Sequence, residues 1–410
     1  MNESANYDES KVGNHPLPEL LKCEDGTKVS DSSVWITKRR PEILDLFATY
    51  VYGKFPPAKS EITYEEISVN QAALDGRAIR HAIVINCLNN AKKTTINLAL
   101  YLPKSALTPV PIFLGSNFNG NHAVDQDKSI PINTRWMRNT LDEKSVVDNR
   151  ATESSRGLEA SRWPLELIIE KGFGVATFYY GDVEEDHPDG WKNGIRAALS
   201  PGGESSGLED DDWGAISAWS WGLSRALDYL VTNPAVDSEK VAVIGHSRLG
   251  KAALWAGALD ERFALVVSNN SGAGGISLAR RDFGESIHSI NENFPHWFCG
   301  NYKRFNHSPE TLPVDMHQLA ALIAPRPLYI ASAQEDAWAD PKGEFLAGKY
   351  AEPVYALFGK PGLGVAEWPP VNQPVGEFIG YHVRTGKHDV TTYDWQQFLR
   401  FASLHFRITQ

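Results

Sequence analysis

The chain has 410 residues, 42% hydrophobic and 22% charged, enough to bury one large core or two ordinary ones, and this excludes disordered and fibrous classes. With 40 Lys and Arg against 51 Asp and Glu, its net charge of −11 repels phosphate backbones and anionic lipid, so neither nucleic acid nor membrane is expected as a partner. No apolar run reaches the roughly 18 to 20 residues of a spanning helix, and residues 1–16 are too polar for a signal peptide, which leaves a cytoplasmic chain or the mature part of an exported one.

Residues 1–30 read as an N-terminal extension. A helix is predicted to start just after Arg40, with Pro41 suited to its first turn and Ile43, Leu44, Phe47 and Val51 on one face. Short apolar or alternating runs then predict strands over 82–88, 96–101, 110–114, 175–180, 241–244, 265–268, 328–331 and 354–358. Between Trp213 and Val231 the apolar positions keep helical spacing, and Asp212 stands where an N-cap belongs. Early strands without helices, followed by strand and helix alternation, predict an α/β sheet that begins antiparallel and becomes parallel.

Two stretches, 115–161 and 181–211, are long, polar and rich in Gly, Asn and Asp, and are expected to be insertions that line a cleft. With no repeat and no linker, 1–410 reads as a single domain carrying them. The three cysteines, Cys23, Cys87 and Cys299, show neither C-x-x-C nor zinc-ligand spacing and imply no disulfide framework. Twelve tryptophans stand out. Trp219 and Trp255, on predicted helices, are expected in the core, whereas Trp136, Trp163 and Trp191 on the long stretches are candidates for a sugar-facing surface.

The chemistry concentrates in KVAVIGHSRLGKAALWAGALD, residues 240–260. A β-rich run meets Gly245-His246-Ser247 and an Ala/Leu-rich helix follows at once, so Ser247 is the candidate nucleophile on a strained strand-to-helix turn. The second glycine of the usual G-x-S-x-G form comes one place late, at Gly250, and the competing reading is a serine that only caps the helix. A serine hydrolase of this kind needs an acid and then a histidine farther along the chain. Asp336, just past the predicted strand 328–331, is the candidate acid; Asp340, expected to cap the turn that Pro341 begins, and Glu335 are its rivals. His388 in Gly386-Lys387-His388-Asp389 completes the order, ahead of His382, which falls in a strand-like run, and His405 on the last helix. Residues 209–212 and the histidines 288, 296 and 307 lack metal-ligand spacing, so no metal is expected. The segment 115–122 stands where a hydrolase places its second oxyanion donor.

GHSRLGKAALWAG, SNNSGAGG, RRDFGESI, LPVDMHQLAALIAPRPLYIASAQEDAWADPKGEF and GYHVRTGKHDVTTYDWQQF resemble the bacterial branch of the glucuronoyl esterases, carbohydrate esterase family fifteen. The resemblance implies an α/β-hydrolase fold, a three-layer αβα sandwich with a mostly parallel central sheet. It also implies a serine esterase that cleaves the ester between 4-O-methyl-glucuronic acid on glucuronoxylan and lignin alcohols, acting as a monomer, secreted or periplasmic, and without a cofactor. By matching positions, Ser247 resembles the nucleophile, His388 the general base and Arg248 the arginine that stabilises the oxyanion. Lys251 and Glu285 match residues that bind sugar hydroxyls, and Trp338 matches a ring beside the uronate. Many family members carry a glutamate as triad acid where this chain has Asn270, which cannot stabilise an imidazolium by charge, so the acid is expected at Asp336. Two other readings share the scaffold: an acetyl xylan or general carboxylesterase, and an inactive carbohydrate-binding relative.

Overall fold

The computed structural model describes residues 5–56, 60–89, 92–200 and 208–408. The chain divides into two compact units assembled from interleaved segments, the first comprising Met1–Phe55, Glu209–Ser217 and Gly245–Asp389 and the second Pro56–Leu208, Ala218–Ile244 and Val390–Gln410.

The first unit opens with a helical run that begins earlier than predicted. Asp31 caps it, its carboxylate accepting the Ser33 and Val34 N–H groups, and helical turns continue unbroken from Ser32. The reason the start moves from Arg40 to Ser32 is a widened turn over Trp35–Arg39, in which the Arg40 N–H reaches Trp35 O five residues back. That slack lets Pro41, which has no N–H, sit inside the run within α1 (Arg40–Phe47). Gly53 ends it at φ 84°, where a Cβ would lie 2.3 Å from Asp212 O.

In the second unit the strands β1 (Glu61–Ala72), β2 (Ala78–Asn89), β3 (Lys92–Pro103) and β4 (Val110–Asn117) precede a two-residue hairpin, β5 (Val146–Val147) with β6 (Arg150–Ala151). Then come β7 (Gly174–Tyr179) and β8 (Val236–His246), and the larger sheet runs β1-β2-β3-β7-β4-β8. Pairing is antiparallel from β1 to β7 and parallel from β7 through β4 to β8, the switch that the pattern predicts. Every residue of β4 and β7 is buried, as strands covered on both faces require. β1 left no signal in the sequence because it buries none of its side chains and carries Glu61, Glu65 and Glu66; β2 is the strand it pairs with. The predicted helix over 213–231 forms as α2 (Ala215–Leu230). Asp212 is not its cap: its carboxylate accepts the Glu209 N–H, and the first helical N–H groups donate to His296 O and Trp297 O.

The insertions are ordered by buried polar contacts. Arg196 donates from Nε and Nη2 to Glu184, and Asp182 accepts from the Asn97 N–H and from Asn133 Nδ2. Residues 201–207 of the stretch 181–211 lie outside the described residues. Trp163 and Trp191 are buried, Trp163 against Trp395, so neither offers a free ring face for sugar; Trp136 is half-buried beside His187.

The first unit's strands β9 (Leu265–Asn269), β10 (Leu328–Ala333) and β11 (Ile379–Arg384) are parallel neighbours in that order and buried along their length. Its helices include α3 (Arg248–Leu259), α4 (Ile287–Asn293), α5 (Met316–Ala321) and α6 (Pro341–Leu357). The predicted strand over 354–358 is the end of α6 instead. Asp340 and Pro341 start that helix, and Ala347, Ala351, Val354 and Tyr355 recur on its buried face at helical spacing, so the tertiary face overrides the local Val-Tyr preference. The second unit closes with α7 (Thr392–Phe406). All three cysteines are free and buried.

Trp219 and Trp255 are fully buried, as expected of core residues. Trp255 fastens α3 to the first helical run, its ring stacked 4.5 Å from that of Tyr52, whose hydroxyl donates to Gly274 O at 3.0 Å. Trp255→Ala is expected to cost about 3–5 kcal/mol of unfolding free energy, read from the midpoint of denaturant unfolding at unchanged m-value.

Candidate active site

The turn between β8 and α3 is strained at the residue that carries the hydroxyl. Ser247 has φ 57° and ψ −129°, a conformation that a non-glycine residue holds only when its surroundings impose it. Here its N–H donates to Asn269 O at 2.9 Å, and its carbonyl accepts the N–H groups of Gly250 and Lys251. The side chain makes no capping bond, so the reading of Ser247 as a helix cap is not what the geometry shows. The displaced glycine also has a cause. A Cβ on Gly245 would lie 2.0 Å from Leu249 O, while one on Gly250 would meet Gly245 O and Ser271 Cβ at 3.1 Å, so glycine is demanded at 245 and favoured at 250.

The strand ends of the first unit bring the other groups together. The β10 and β11 registers pair Ala333 with Arg384, which sets the loop after β10, carrying Asp336, beside the loop after β11, carrying His388. The Glu335 N–H donates to Gly386 O, tying the two loops. His388 Nδ1 donates to Asp336 Oδ2 at 2.6 Å, and the carboxylate is buried. The same oxygen accepts from Asn270 Nδ2 at 2.8 Å. Asn270 is itself fixed just past β9 in a left-handed conformation, its N–H on Ala331 O. Asn270 thus replaces a charge with a donor aimed at the carboxylate. With Nδ1 engaged, Nε2 is the nitrogen left for proton transfer.

The rival residues have other work. Asp340 caps α6 through Gly343 N–H and accepts from Arg281 Nε at 2.8 Å. Glu335 is exposed, His382 lies within β11 with Nδ1 3.0 Å from the Tyr329 hydroxyl, and His405 packs on Phe401 in α7.

Arg248 occupies the first position of α3, where the helix dipole disfavours a cation, and aromatic faces hold its guanidinium there: 4.8 Å from the Trp297 ring and 5.6 Å from that of Phe294. Those two rings stack at 3.8 Å. One turn on, Lys251 is almost fully buried; Nζ donates to Ser271 O at 2.6 Å and lies 3.6 Å from Glu285 Oε2. Burial lowers the lysine's pKa and raises the carboxyl's, with their mutual attraction opposing both shifts. The Glu285 N–H donates to Trp338 O, and Trp338 is 38% exposed, the open aromatic residue of this group.

Sequence reasoning missed several members. His246 buries its ring 4.5 Å from that of His388, with Nδ1 2.6 Å from Asn269 Oδ1. Trp297 and Glu344 belong to the same surroundings, and their only signal in the sequence was proximity to motifs already chosen. The segment 115–122, in the second unit, is locked by its own contacts: Gly120 N–H on Asn117 Oδ1, and His122 Nε2 2.7 Å from Ser155 Oγ. Among the described residues no cluster of three or more His, Cys, Asp or Glu could hold a metal, and no helix is long and apolar enough to cross a membrane.

The division of labour between the two aspartates is testable. Asp340→Asn is expected to cost about 1–3 kcal/mol of stability by weakening the α6 cap and one of the two carboxylate partners of buried Arg281, which keeps Glu9, while the folded fraction keeps its turnover. Denaturant unfolding and kcat per folded molecule check this, and a lost kcat would move the acid to Asp340.

A family model described as "Glucuronyl esterase, fungi" matches residues 208–359. A carbohydrate esterase from an unknown prokaryotic organism is 46% identical over 400 residues, covering 98% of this chain and 92% of its own. The 4-O-methyl-glucuronoyl methylesterase of Phanerochaete carnosa is 31% identical over 273 residues, 62% of this chain and 64% of that one. The solved glucuronoyl esterase from Solibacter usitatus superposes with a TM-score of 0.90 at 47% identity, over 97% of this chain and all of that chain. The fold is therefore the α/β-hydrolase fold, with the sheet switching from antiparallel to parallel as described. The chain belongs to the glucuronoyl esterases of carbohydrate esterase family 15.

Proposed function

We propose that this protein is a serine esterase that hydrolyses esters of 4-O-methyl-glucuronic acid through an acyl-enzyme on Ser247. The observation that carries the reading is the 2.6 Å bond from His388 Nδ1 to Asp336, with the His388 ring 4.5 Å from that of His246, the neighbour of a serine held at φ 57°, which supports Ser247, His388 and Asp336 as nucleophile, base and acid. In the first step Ser247 Oγ attacks the ester carbonyl as His388 Nε2 takes its proton. The Asp336 charge stabilises the imidazolium, and the alkoxide is met by the Arg248 guanidinium and by the backbone N–H of the residue after the nucleophile. His388 then gives the proton to the leaving alcohol. Water, deprotonated by the same imidazole, attacks the acyl-enzyme and frees the glucuronate and Ser247.

Lys251 and Glu285 receive the sugar hydroxyls, and Trp338 offers its ring to the uronate. Two pre-aligned polar groups in a buried setting discriminate strongly, because a substrate without matching hydroxyls leaves them unsatisfied. The charges also fit. The ester is neutral on arrival, and the carboxylate formed meets Arg248 and Lys251 although the protein as a whole is acidic. Glucuronoxylan bearing ester-linked lignin alcohols is the corresponding polymer, and a monomer acting outside the cytoplasm is the form in which such a polymer is met.

Ser247→Ala is expected to lower hydrolysis of benzyl glucuronate by at least about 10⁴-fold. The intact enzyme is expected to prefer that ester to acetylated xylan. Equal or faster acetate release would make it an acetyl esterase on the same scaffold, and tight sugar binding with no turnover of either would make it a binding protein.

A further inference from the structure

The loop that carries His388 has no regular structure of its own, and the imidazole is 40% exposed, so packing around the ring does not by itself fix its direction. At the root of the loop stands a buried arginine. Arg384 is the last residue of β11, and its guanidinium lies against the backbone of residues 385–389. Nη1 donates to Thr385 O at 3.0 Å, and Nη2 donates to Lys387 O at 3.0 Å and to Asp389 O at 2.6 Å, one hydrogen for each.

The carbonyls of this loop therefore alternate. Those of Thr385, Lys387 and Asp389 meet the guanidinium, whereas that of Gly386 accepts the Glu335 N–H from the acid loop at 3.0 Å. At Gly386 the chain passes so close that a Cβ would lie 3.2 Å from Arg384 Nη1, and φ there is 99°, a conformation that suits glycine. The carbonyls of Lys387 and Asp389 flank His388 along the chain, and a single nitrogen holds both. A planar fork offers these directions from a fixed geometry and makes each bond charge-assisted, whereas a lysine ammonium brings all its donors from one point. An arginine at a strand end ordinarily runs its charge out to water, so one buried under three carbonyls calls for a reason.

We propose that Arg384 is a positioning residue for the base: its guanidinium is the core around which residues 385–389 are wound, and by holding the carbonyls on both sides of His388 it sets the imidazole with Nδ1 on Asp336 and Nε2 kept for proton transfer. Arg384 acts in this through the loop backbone and not on the reacting atoms. Without the fork three carbonyls lose their donor, the loop rearranges, and the imidazole gains rotational and tautomeric freedom. The defect falls on kcat, because Lys251 and Glu285 lie on other segments of the chain. The inference rests on the reading of His388 as the base of the proposed esterase.

Arg384→Lys tests it, keeping the positive charge and removing the fork. On a glucuronate ester the variant is expected to lower kcat about 100-fold with KM within about twofold, the scale of a displacement of about 1 Å at the reacting group. Nitrogen NMR shifts of the His388 ring, assigned by their loss in His388→Ala, should show a single tautomer protonated at Nδ1 in the neutral wild-type ring and a mixture of tautomers in Arg384→Lys, a readout that no substrate enters. In a His388→Ala background the same substitution should change the residual rate by less than about twofold, because no imidazole remains to be placed. A folded Arg384→Lys with kcat within about threefold of the wild-type overturns the proposal, as does an unmixed tautomer or a full loss repeated in the absence of His388. Wild-type turnover in His388→Ala overturns the triad reading and this proposal with it, so that variant tells the two failures apart. Should Arg384→Lys not fold, Gly386→Ala serves: it sets a methyl group against Nη1 and is expected to give the same fall in kcat and the same mixture of tautomers, and an unchanged kcat and tautomer overturn the proposal.

Discussion

The bond between His388 Nδ1 and Asp336 is the constraint on which the rest of the first unit turns. An imidazole on a loop can rotate, flip and change tautomer, and it serves as a base toward a serine only if one nitrogen is permanently engaged. That engagement needs two loops from adjacent strands to agree within a fraction of an ångström. The parallel register of β10 and β11 provides the coarse alignment, the Glu335 to Gly386 backbone bond the next level, and Asn270 the last, by donating to the same carboxylate oxygen that the imidazole uses. β9 enters because Asn270 is anchored on Ala331 O, and β9 also supplies, through Asn269 O, the acceptor that pins the Ser247 N–H. Ser247 and Asp336 are thus both referenced to Asn269 and Asn270, at and just past the end of β9.

Charge is managed by burial more than by pairing. Lys251 and Glu285 sit 3.6 Å apart with almost no exposure, each drawn toward its neutral form by desolvation and restored toward charge by the other. Such a pair costs free energy to hold and stabilises little. Arg248 is held at an unfavourable helix end by cation–π contact with the Trp297 and Phe294 rings. A chain with a net charge of −11 in this way carries an arginine directly after Ser247.

Much of this was legible because the relevant signals are local. The strand, sharp turn and helix at 240–260 are written in consecutive residues, and strands buried on both faces announce themselves as unbroken apolar runs. Asp336 was readable as the candidate acid from its place on the loop just past a predicted buried strand, and the resemblance to a family in which many members carry a glutamate where this chain has Asn270 pointed the same way. What escaped depends on contacts between distant segments. β1 has no buried face to pattern, the widened turn at Trp35–Arg39 hides a helix start behind a proline, and the Val354 segment reads as a strand until the face it packs against is known. Glu344, an acidic residue in the first turn of a helix, looks like a solvated dipole partner and is in fact buried. Trp163 and Trp191 look available on long polar stretches and are not, because those stretches fold back on their own buried ion pairs and hydrogen bonds.

The account stands or falls on Asp336 as the acid that holds His388. Measured on a glucuronate ester at neutral pH, Asp336→Asn is expected to lower kcat by about 10⁴-fold while leaving the fold and KM nearly intact, because an amide can offer its N–H to Nδ1 and force the wrong tautomer. A loss of less than about tenfold in a folded Asp336→Asn enzyme would contradict it, and the base would then owe its orientation to some other group.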